Sequence, residues 1–172
     1  MTTIKEQVVN ELHKPARKKF MRRRVIVKGL NDLLQADLVE MQPYSKFNRG
    51  YRYILVVINV FSKYVWAEPV KTKSGKDVAT AMKTILLTLK TNPQNLQTDR
   101  GTEFFNQHFQ KLMERFKINH YSTFSNLKAS VVERVNRTLK TRMWKMFSLQ
   151  GNYRWLNILA VPSLRNAHRM NR

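Results

Sequence analysis

Strand-like and helix-like spacings of hydrophobic residues alternate along the chain. Residues 33–39 are apolar apart from Gln35 and Asp37, and residues 51–61 form a second, longer apolar run. Such runs are typical of strands in the interior of a sheet. Residues 64–70 follow after a short turn, so we expect an antiparallel hairpin that also pairs with the first strand.

Helical and strand-like segments alternate after this hairpin. The spacing predicts a helix over residues 74–90, a strand over 95–99, a helix over 102–116 capped by Thr102, and a strand over 118–122. A strand that follows a helix implies a crossover to a parallel neighbour. The second helix is expected to bury its apolar side chains, Phe105, Phe109, Leu112, Met113 and Phe116.

The last third of the chain is predicted to be mainly helical. Residues 123–129 have no clear period and are interpreted as a mobile loop. A long helix is expected over residues 130–149, ended by Gly151, and another over 154–170. The order of elements predicts an α/β fold with a mixed five-stranded sheet flanked by helices. The core stripe of the long helix is Val132, Val135, Leu139, Met143 and Met146.

The charge is strongly positive, with 32 Lys and Arg against 11 Asp and Glu and a formal net charge of +21. Such an excess indicates a polyanionic partner, of which nucleic acid is the commonest and an acidic membrane surface the weaker alternative. Residues 1–30 are predicted to form a basic arm without a packed core, which contains Arg22, Arg23 and Arg24. The arm is interpreted as a phosphate-binding segment, as a solvated tail or as a nuclear-import signal.

Cysteine is absent, and the four histidines are scattered without the spacing of metal ligands. A metal ion would therefore be held mainly by oxygen atoms, which favours Mg²⁺ or Mn²⁺. No apolar run reaches the length of a membrane-spanning helix, and the first residues lack a signal-peptide pattern. We therefore expect an intracellular, soluble protein that does not bind a membrane.

Three carboxylates occupy notable positions. Asp99 ends a strand just before Gly101, Asp37 lies within the first strand, and Glu133 lies at the edge of the buried face of the long helix. If the two strands are neighbours, the aspartates approach each other and the helix brings Glu133 beside them. Mutual repulsion would favour bound divalent cations, and oxygen ligands suit a pair of Mg²⁺ ions. For Asp37 alone, a carboxylate that caps a loop is the simpler alternative.

Several motifs resemble those of retroviral-type integrases and related DDE transposases. These are residues 35–38, 99–104, 119–122 and 132–140. The chain is most similar to the integrases of Maverick/Polinton-type DNA transposons, with which it shares further motifs. Those further motifs are residues 13–17, 35–41, 61–63 and 128–134. Separated motifs in the expected order make the resemblance specific.

The resemblance implies a ribonuclease H-like fold in which Asp37, Asp99 and Glu133 are catalytic residues that bind two Mg²⁺ or Mn²⁺ ions. It also implies DNA partners, both element ends and target DNA, handled by a homodimer or larger assembly in the nucleus. Contacts with DNA are expected from the long helix and the basic arm. The expected contact residues are Lys140, Arg137, Asn136, Arg134, Arg22, Arg23 and Arg24. For Arg134, a solvated helix face is an equal alternative.

Some positions depart from the pattern of that family. Arg100 stands where the family commonly has Asn, and Asn59 where it commonly has Asp.

We expect a basic arm over residues 1–30 and a catalytic core over residues 31–172. Neither a zinc domain nor a C-terminal DNA-binding domain is expected in this chain.

Three functions are compatible with these features. The first is a metal-dependent polynucleotidyl transferase that processes DNA 3′ ends and transfers the strands into target DNA. The second is a non-catalytic or domesticated DNA-binding derivative, which Arg100 favours. The third and weakest is a ribonuclease H-like nuclease that acts on RNA·DNA hybrids.

Overall fold

The computed structural model describes residues 3–13, 25–122 and 130–159. Within these ranges the chain forms one five-stranded sheet flanked by helices on both faces. The strands are β1 (Leu33–Glu40), β2 (Tyr53–Asn59), β3 (Val65–Val70), β4 (Asn95–Thr98) and β5 (Asn119–Ser122). The helices are α1 (Ile4–Leu12), α2 (Gly75–Leu87), α3 (Gln107–Phe116), α4 (Ser130–Gln150) and α5 (Trp155–Leu159), with a 3-10 turn at Gln42–Phe47.

The sheet has the order β3-β2-β1-β4-β5. The long hairpin of β2 and β3 is antiparallel, and β2 also pairs antiparallel with β1. By contrast, β4 runs parallel to both β1 and β5, as expected for strands that follow crossover helices. The predicted mixed five-stranded sheet is therefore confirmed, and β1 and β4 are central neighbours.

Alternation along β1 sends its side chains into two different layers. Leu34 and Ala36 join a core with side chains of α2 and α3. Val39 joins the opposite core, which contains side chains of α4 and α5. Gln35 and Asp37 share the face of Val39, so the polar positions of β1 lie on the side of the sheet that α4 covers.

The segment after Asp99 differs from the prediction. Residues 101–106 form turns, and α3 begins at Gln107 with Asn106 as its N-cap, whose side chain accepts from the backbone N–H of Phe109 at 3.0 Å. Thr102 is therefore not the cap. The predicted core position also shifts, because Phe104 is buried and Phe105 is exposed.

The first helix is a second difference. Residues 4–12 were expected to lie in an arm without a packed core, yet they form α1, which is capped by Thr3 and contacts α4. Val9 is buried, and Lys5 Nζ donates to the carbonyl oxygen of Leu149 at 2.7 Å. The contact with the C-terminal half of α4 consists of buried Val9 and polar bonds such as that of Lys5, while Ile4, Val8 and Leu12 remain exposed.

Some predicted segments lie outside the described residues. They are the loop at 123–129, the cluster Arg22, Arg23 and Arg24, and the helix beyond residue 159. In the described parts of the chain, no helix is both long and apolar enough to cross a membrane.

The hydrogen bonds of Asn59 explain why this chain has asparagine where the family commonly has aspartate. Its Oδ1 accepts from the backbone N–H groups of Phe61 and Ser62 at 3.0 and 2.9 Å, which holds the turn after β2. Its Nδ2 donates to the carbonyl oxygen of Leu30 at 2.6 Å. An aspartate would keep the two accepted bonds but lose the donor, and its charged oxygen would face the Leu30 carbonyl.

We therefore expect Asn59→Asp to lower the free energy of unfolding by about 1–3 kcal/mol, because a part-buried hydrogen bond to the Leu30 carbonyl oxygen is lost. Urea denaturation checks this. The matched change Asn92→Asp alters an exposed amide that donates to the carbonyl oxygen of Phe116, and should cost less than about 1 kcal/mol. Equal losses in the two variants would contradict the role assigned to Asn59.

Candidate active site

Asp37 lies in the middle of β1 on the face covered by α4. Its Oδ1 accepts from the backbone N–H of Leu38 at 2.8 Å, and its Oδ2 accepts from Asn136 Nδ2 at 2.6 Å. Burial raises the pKa of Asp37, and the negative charges of Asp99 and Glu133 raise it further, against the lowering effect of the two hydrogen bonds. A half-buried carboxyl that accepts from two donors and is disfavoured by two like charges is suited to bind a cation.

Asp99 and Glu133 come to the same region from two other elements. Asp99 directly follows β4, and Glu133 lies in the first turn of α4. Both side chains are exposed, and both act electrostatically on Asp37. Within the described ranges, however, no three His, Cys, Asp or Glu side chains are close enough together to hold a metal ion. The three predicted carboxylates are thus neighbours, but their side chains are not close enough together to hold one metal ion.

The elements that carry the three carboxylates are joined by one buried amide. Gln35 and Gln97 face each other in the register of β1 and β4, and Gln35 Nε2 donates to Gln97 Oε1 at 2.9 Å. Gln35 Oε1 accepts from the backbone N–H groups of Val131 and Val132 at 3.2 and 3.1 Å. No role for this pair of glutamines is predicted from the sequence. Each glutamine precedes an aspartate by two residues, and that spacing is the signal that could have revealed it.

Asn136 provides the test of whether a hard cation fits here. Its side chain is buried beside Asp37, and its Oδ1 has no hydrogen-bond partner among the described residues. An unpaired buried oxygen next to mutually repelling carboxylates leaves a surplus of oxygen acceptors. Such a donor set matches Mg²⁺ or Mn²⁺. Asn136 was predicted to contact DNA; the structure places its amide against Asp37.

Glu103 forms a charged pair beside Asp99. Its carboxylate is buried, and Lys73 Nζ lies 3.1 Å from its Oε1, which raises the pKa of Lys73. Gly101 leaves room for this carboxylate, since a Cβ on Gly101 would lie 2.4 Å from Glu103 Cδ and the carboxylate would have to shift. The backbone N–H of Gly101 also donates to Asp99 Oδ1 at 3.2 Å.

His120 supports the strand end that carries Asp99. Thr98 Oγ1 donates to the carbonyl oxygen of Asp99 at 2.8 Å and lies 2.9 Å from His120 Nε2. Because the hydroxyl has one hydrogen, His120 Nε2 acts as the donor to it. The ring stacks on Phe105 at 4.6 Å between centroids. Burial lowers the pKa of His120 from 6.5 to about 4, so the ring is neutral at pH 7.

Stability should therefore depend on pH through His120. The folded-state pKa is below that of the unfolded chain, so the unfolded chain binds more protons as the pH falls from 6.5 towards 4. The full shift corresponds to about 3 kcal/mol, and solvent screening of the partly exposed ring lowers the expected loss of stability to about 1–2 kcal/mol. Urea denaturation from pH 7 to 4 should show this loss in the wild type. His120→Gln should lack it, and an identical pH dependence in both proteins would contradict the assignment.

Three of the predicted DNA-contacting residues line the exposed side of α4. Arg134, Arg137 and Lys140 are all exposed. Arg134 also influences the β2–β3 turn, where burial lowers the pKa of Lys63 and the positive charge of Arg134 lowers it further. Positive charge therefore extends from the helix that carries Glu133 to the neighbouring turn.

A cleft of about 1110 Å³ lies near the start of β1 and the end of α2. Leu30, Asn59, Trp66 and Leu89 are among its lining residues, and none of the three carboxylates is among them. Asp99 and Glu133 are instead exposed at the surface of the protein.

Comparison with known proteins identifies the family of this chain. Residues 28–123 match the family described as the integrase core domain. The chain belongs to this family. The match includes Asp37 and Asp99, and membership places the chain in the retroviral-type DDE integrase superfamily.

Two relatives illustrate the relationship. An uncharacterised transposon-derived protein of Caenorhabditis elegans is 34% identical over 119 residues, which cover 69% of this chain and 42% of that protein. The Pol polyprotein of radiation murine leukemia virus is 30% identical over 133 residues, which cover 76% of this chain and 22% of that protein. The chain thus spans less than half the length of these curated relatives.

Solved structures of integrases share the fold. The catalytic core domain of HTLV-2 integrase in complex with magnesium gives a TM-score of 0.66 at 23% identity, with 86% of this chain and 90% of that chain covered. A chain of the simian T-cell lymphotropic virus intasome gives a TM-score of 0.71 at 24% identity, with coverages of 94% and 57%. The predicted integrase-core, ribonuclease H-like fold is confirmed.

Proposed function

We propose that the chain is the catalytic core of a metal-dependent polynucleotidyl transferase that processes DNA 3′ ends and transfers the strands into target DNA. One observation carries the proposal. Asp37, Asp99 and Glu133 come from three elements to one region, where Asp99 and Glu133 raise the pKa of the half-buried Asp37. Membership in the integrase core family supports the same reaction class.

Asp37, Asp99 and Glu133 would hold Mg²⁺ or Mn²⁺, and we propose two ions. When bound, such ions activate the attacking oxygen and stabilise the leaving oxygen of a phosphodiester. The magnesium complex of the HTLV-2 core supports this choice of metal. Asn136 orients Asp37 through its 2.6 Å hydrogen bond. Repulsion among the carboxylates keeps the site receptive to a cation.

The positive charge of the chain supports DNA as its proposed partner. With a formal net charge of +21, the chain is suited to bind a polyanion. Arg134, Arg137 and Lys140 lie exposed on the helix that carries Glu133. The phosphate backbone of a DNA strand bound along α4 would therefore pass the three carboxylates. Arg22, Arg23 and Arg24 are proposed as further phosphate contacts from the N-terminal arm.

The biological setting is also a proposal. The motifs quoted above support an integrase of the Maverick/Polinton type, and the transposon-derived relative supports a transposon origin in general. We propose nuclear action on element ends and target DNA by a homodimer or larger assembly, with residues 31–172 as the catalytic core. Dimeric and trimeric forms of the HTLV-2 core support self-association.

The test is a phosphoryl-transfer assay on a pre-branched DNA duplex, whose resolution needs no recognised end sequence. We expect resolved and joined products with Mg²⁺ or Mn²⁺ and none after chelation. Cleavage restricted to RNA·DNA hybrids would overturn the proposal in favour of a ribonuclease H-like nuclease.

A DNA-binding derivative without catalysis is the second candidate. It is favoured by the spacing of the carboxylates, since no three metal-binding side chains in the described residues are close enough to hold an ion. In that case DNA would bind with a steep salt dependence, but no metal would yield products. Lys140→Ala should then reduce the slope of log affinity against log salt by about 0.9 for one lost phosphate contact.

A further inference from the structure

Gln35 and Gln97 are almost completely buried, with exposed fractions of 2% and 6%. Long polar side chains at such depth are costly unless their hydrogen-bonding groups are satisfied. Gln35 makes three hydrogen bonds, one to Gln97 and two from the backbone of α4. The pair therefore links β1, β4 and α4 at one point.

The position of this link matters because of what lies beside it. Asp37 and Asp99 are each two residues beyond a member of the pair, and Glu133 directly follows Val132. In each strand, a two-residue step returns to the same face. Gln35 and the residues hydrogen-bonded to it thus lie within two residues in sequence of all three carboxylates of the candidate site.

We propose that Gln35 is a positioning residue that fixes the N-terminus of α4, and with it Glu133, against the two strands that carry Asp37 and Asp99, with Gln97 as its support. The inference rests on the proposed function, since it concerns the geometry of the same site. Gln35 touches none of the reacting groups and acts through the backbone of α4.

The chemistry of the glutamine side chain explains why it occupies this position. The first N–H groups of a helix have no partner inside the helix and need an acceptor. The Gln35 carbonyl oxygen accepts from two of them, at Val131 and Val132, while its NH₂ group donates to the neighbouring strand. Methionine has a similar length but offers neither function. Glutamate keeps the acceptor, and Gln97 can turn its amide to donate to it.

The first measurement is hydrogen exchange on the metal-free protein, with variants Gln35→Met and Gln35→Glu. We expect Val131, Val132 and Glu133 amides to exchange at least about tenfold faster in Gln35→Met, while amides of α3 are unchanged. Gln35→Glu should restore protection to within about threefold of the wild type. Gln110→Met, a change on the exposed side of α3, is the matched control and should alter neither region.

The second measurement is Mn²⁺ affinity, followed by electron paramagnetic resonance. Gln35→Met should bind Mn²⁺ at least about tenfold more weakly, since Glu133 is no longer held near the aspartates. Unchanged exchange at Val131 and Val132 would overturn the inference, as would faster exchange spread evenly over the whole fold. If Gln35→Met does not fold, Gln97→Met decides. It should speed exchange at these amides about threefold, and no change would overturn the inference.

Failure of this inference is distinguishable from failure of the proposed function. A wild type that resolves no branched DNA and binds no Mn²⁺ would overturn the enzyme proposal, whatever the exchange rates show. Selective deprotection of α4 in Gln35→Met would still establish the link between the helix and the strands. Normal activity with unchanged protection in Gln35→Met would overturn the inference alone.

Discussion

Replacing Asp99 with asparagine is expected to slow resolution of branched DNA at least about a thousandfold, because metal-dependent phosphoryl transfer loses one of its anionic ligands. Asparagine has nearly the same shape, and its oxygen can still accept from the backbone N–H of Gly101. The turn after β4 should therefore survive. DNA affinity should be unchanged or tighter, since a negative charge near the bound phosphates is removed.

The matched control for this variant is Glu114→Gln. Glu114 is exposed on α3, away from the three carboxylates, and the change removes the same charge. It should leave activity within about twofold of the wild type. Comparable activity in Asp99→Asn and Glu114→Gln would refute the assignment of Asp99 as a metal ligand.

Two adjacent phenylalanines should differ sharply in their contribution to stability. Phe104 is completely buried and packs edge-on against Phe109, with ring centroids 5.4 Å apart. We expect Phe104→Ala to reduce the free energy of unfolding by about 3–5 kcal/mol. Phe105 is 38% exposed and contacts His120, so Phe105→Ala should cost about 1 kcal/mol.

Urea denaturation of both variants at pH 7 checks this difference. The comparison also tests where α3 begins. A helix from residue 102, as the hydrophobic spacing predicts, would bury Phe105, whereas the turns at residues 101–106 bury Phe104. A larger loss in Phe105→Ala than in Phe104→Ala would therefore contradict the turn.

Strands and long helices of this chain are predictable because their signals are local. The apolar runs of β1 and β2 and the stripe from Val132 to Met143 are readable from neighbouring residues, and all three elements are confirmed. The start of α3 is not predictable in the same way. The chain first makes turns after Gly101, whose carbonyl oxygen accepts from Phe104 and Phe105. The helix therefore begins later, and Asn106 caps it instead of Thr102.

The candidate site is likewise predictable only in part from local sequence patterns. Asp37, Asp99 and Glu133 could be selected from their places in strands and helix, and the structure brings their charges into mutual range. The roles of Gln35 and Gln97 depend on bonds between residues 62 and 97 positions apart in sequence. Local patterns contain no information on such pairings, and neither do they reveal that α1 packs on α4.

The alternation of β1 between two cores makes this chain sensitive to a specific kind of genetic lesion. Loss of a single codon between Leu33 and Ala36 would barely change composition, charge or hydropathy. It would, however, rotate each downstream side chain of the strand to the opposite face. Asp37 would then enter the apolar layer formed with α2 and α3, while Leu38 would replace it beside Asn136. Among diverging copies of such a gene, an intact reading frame with this deletion would mark a protein that has lost its site.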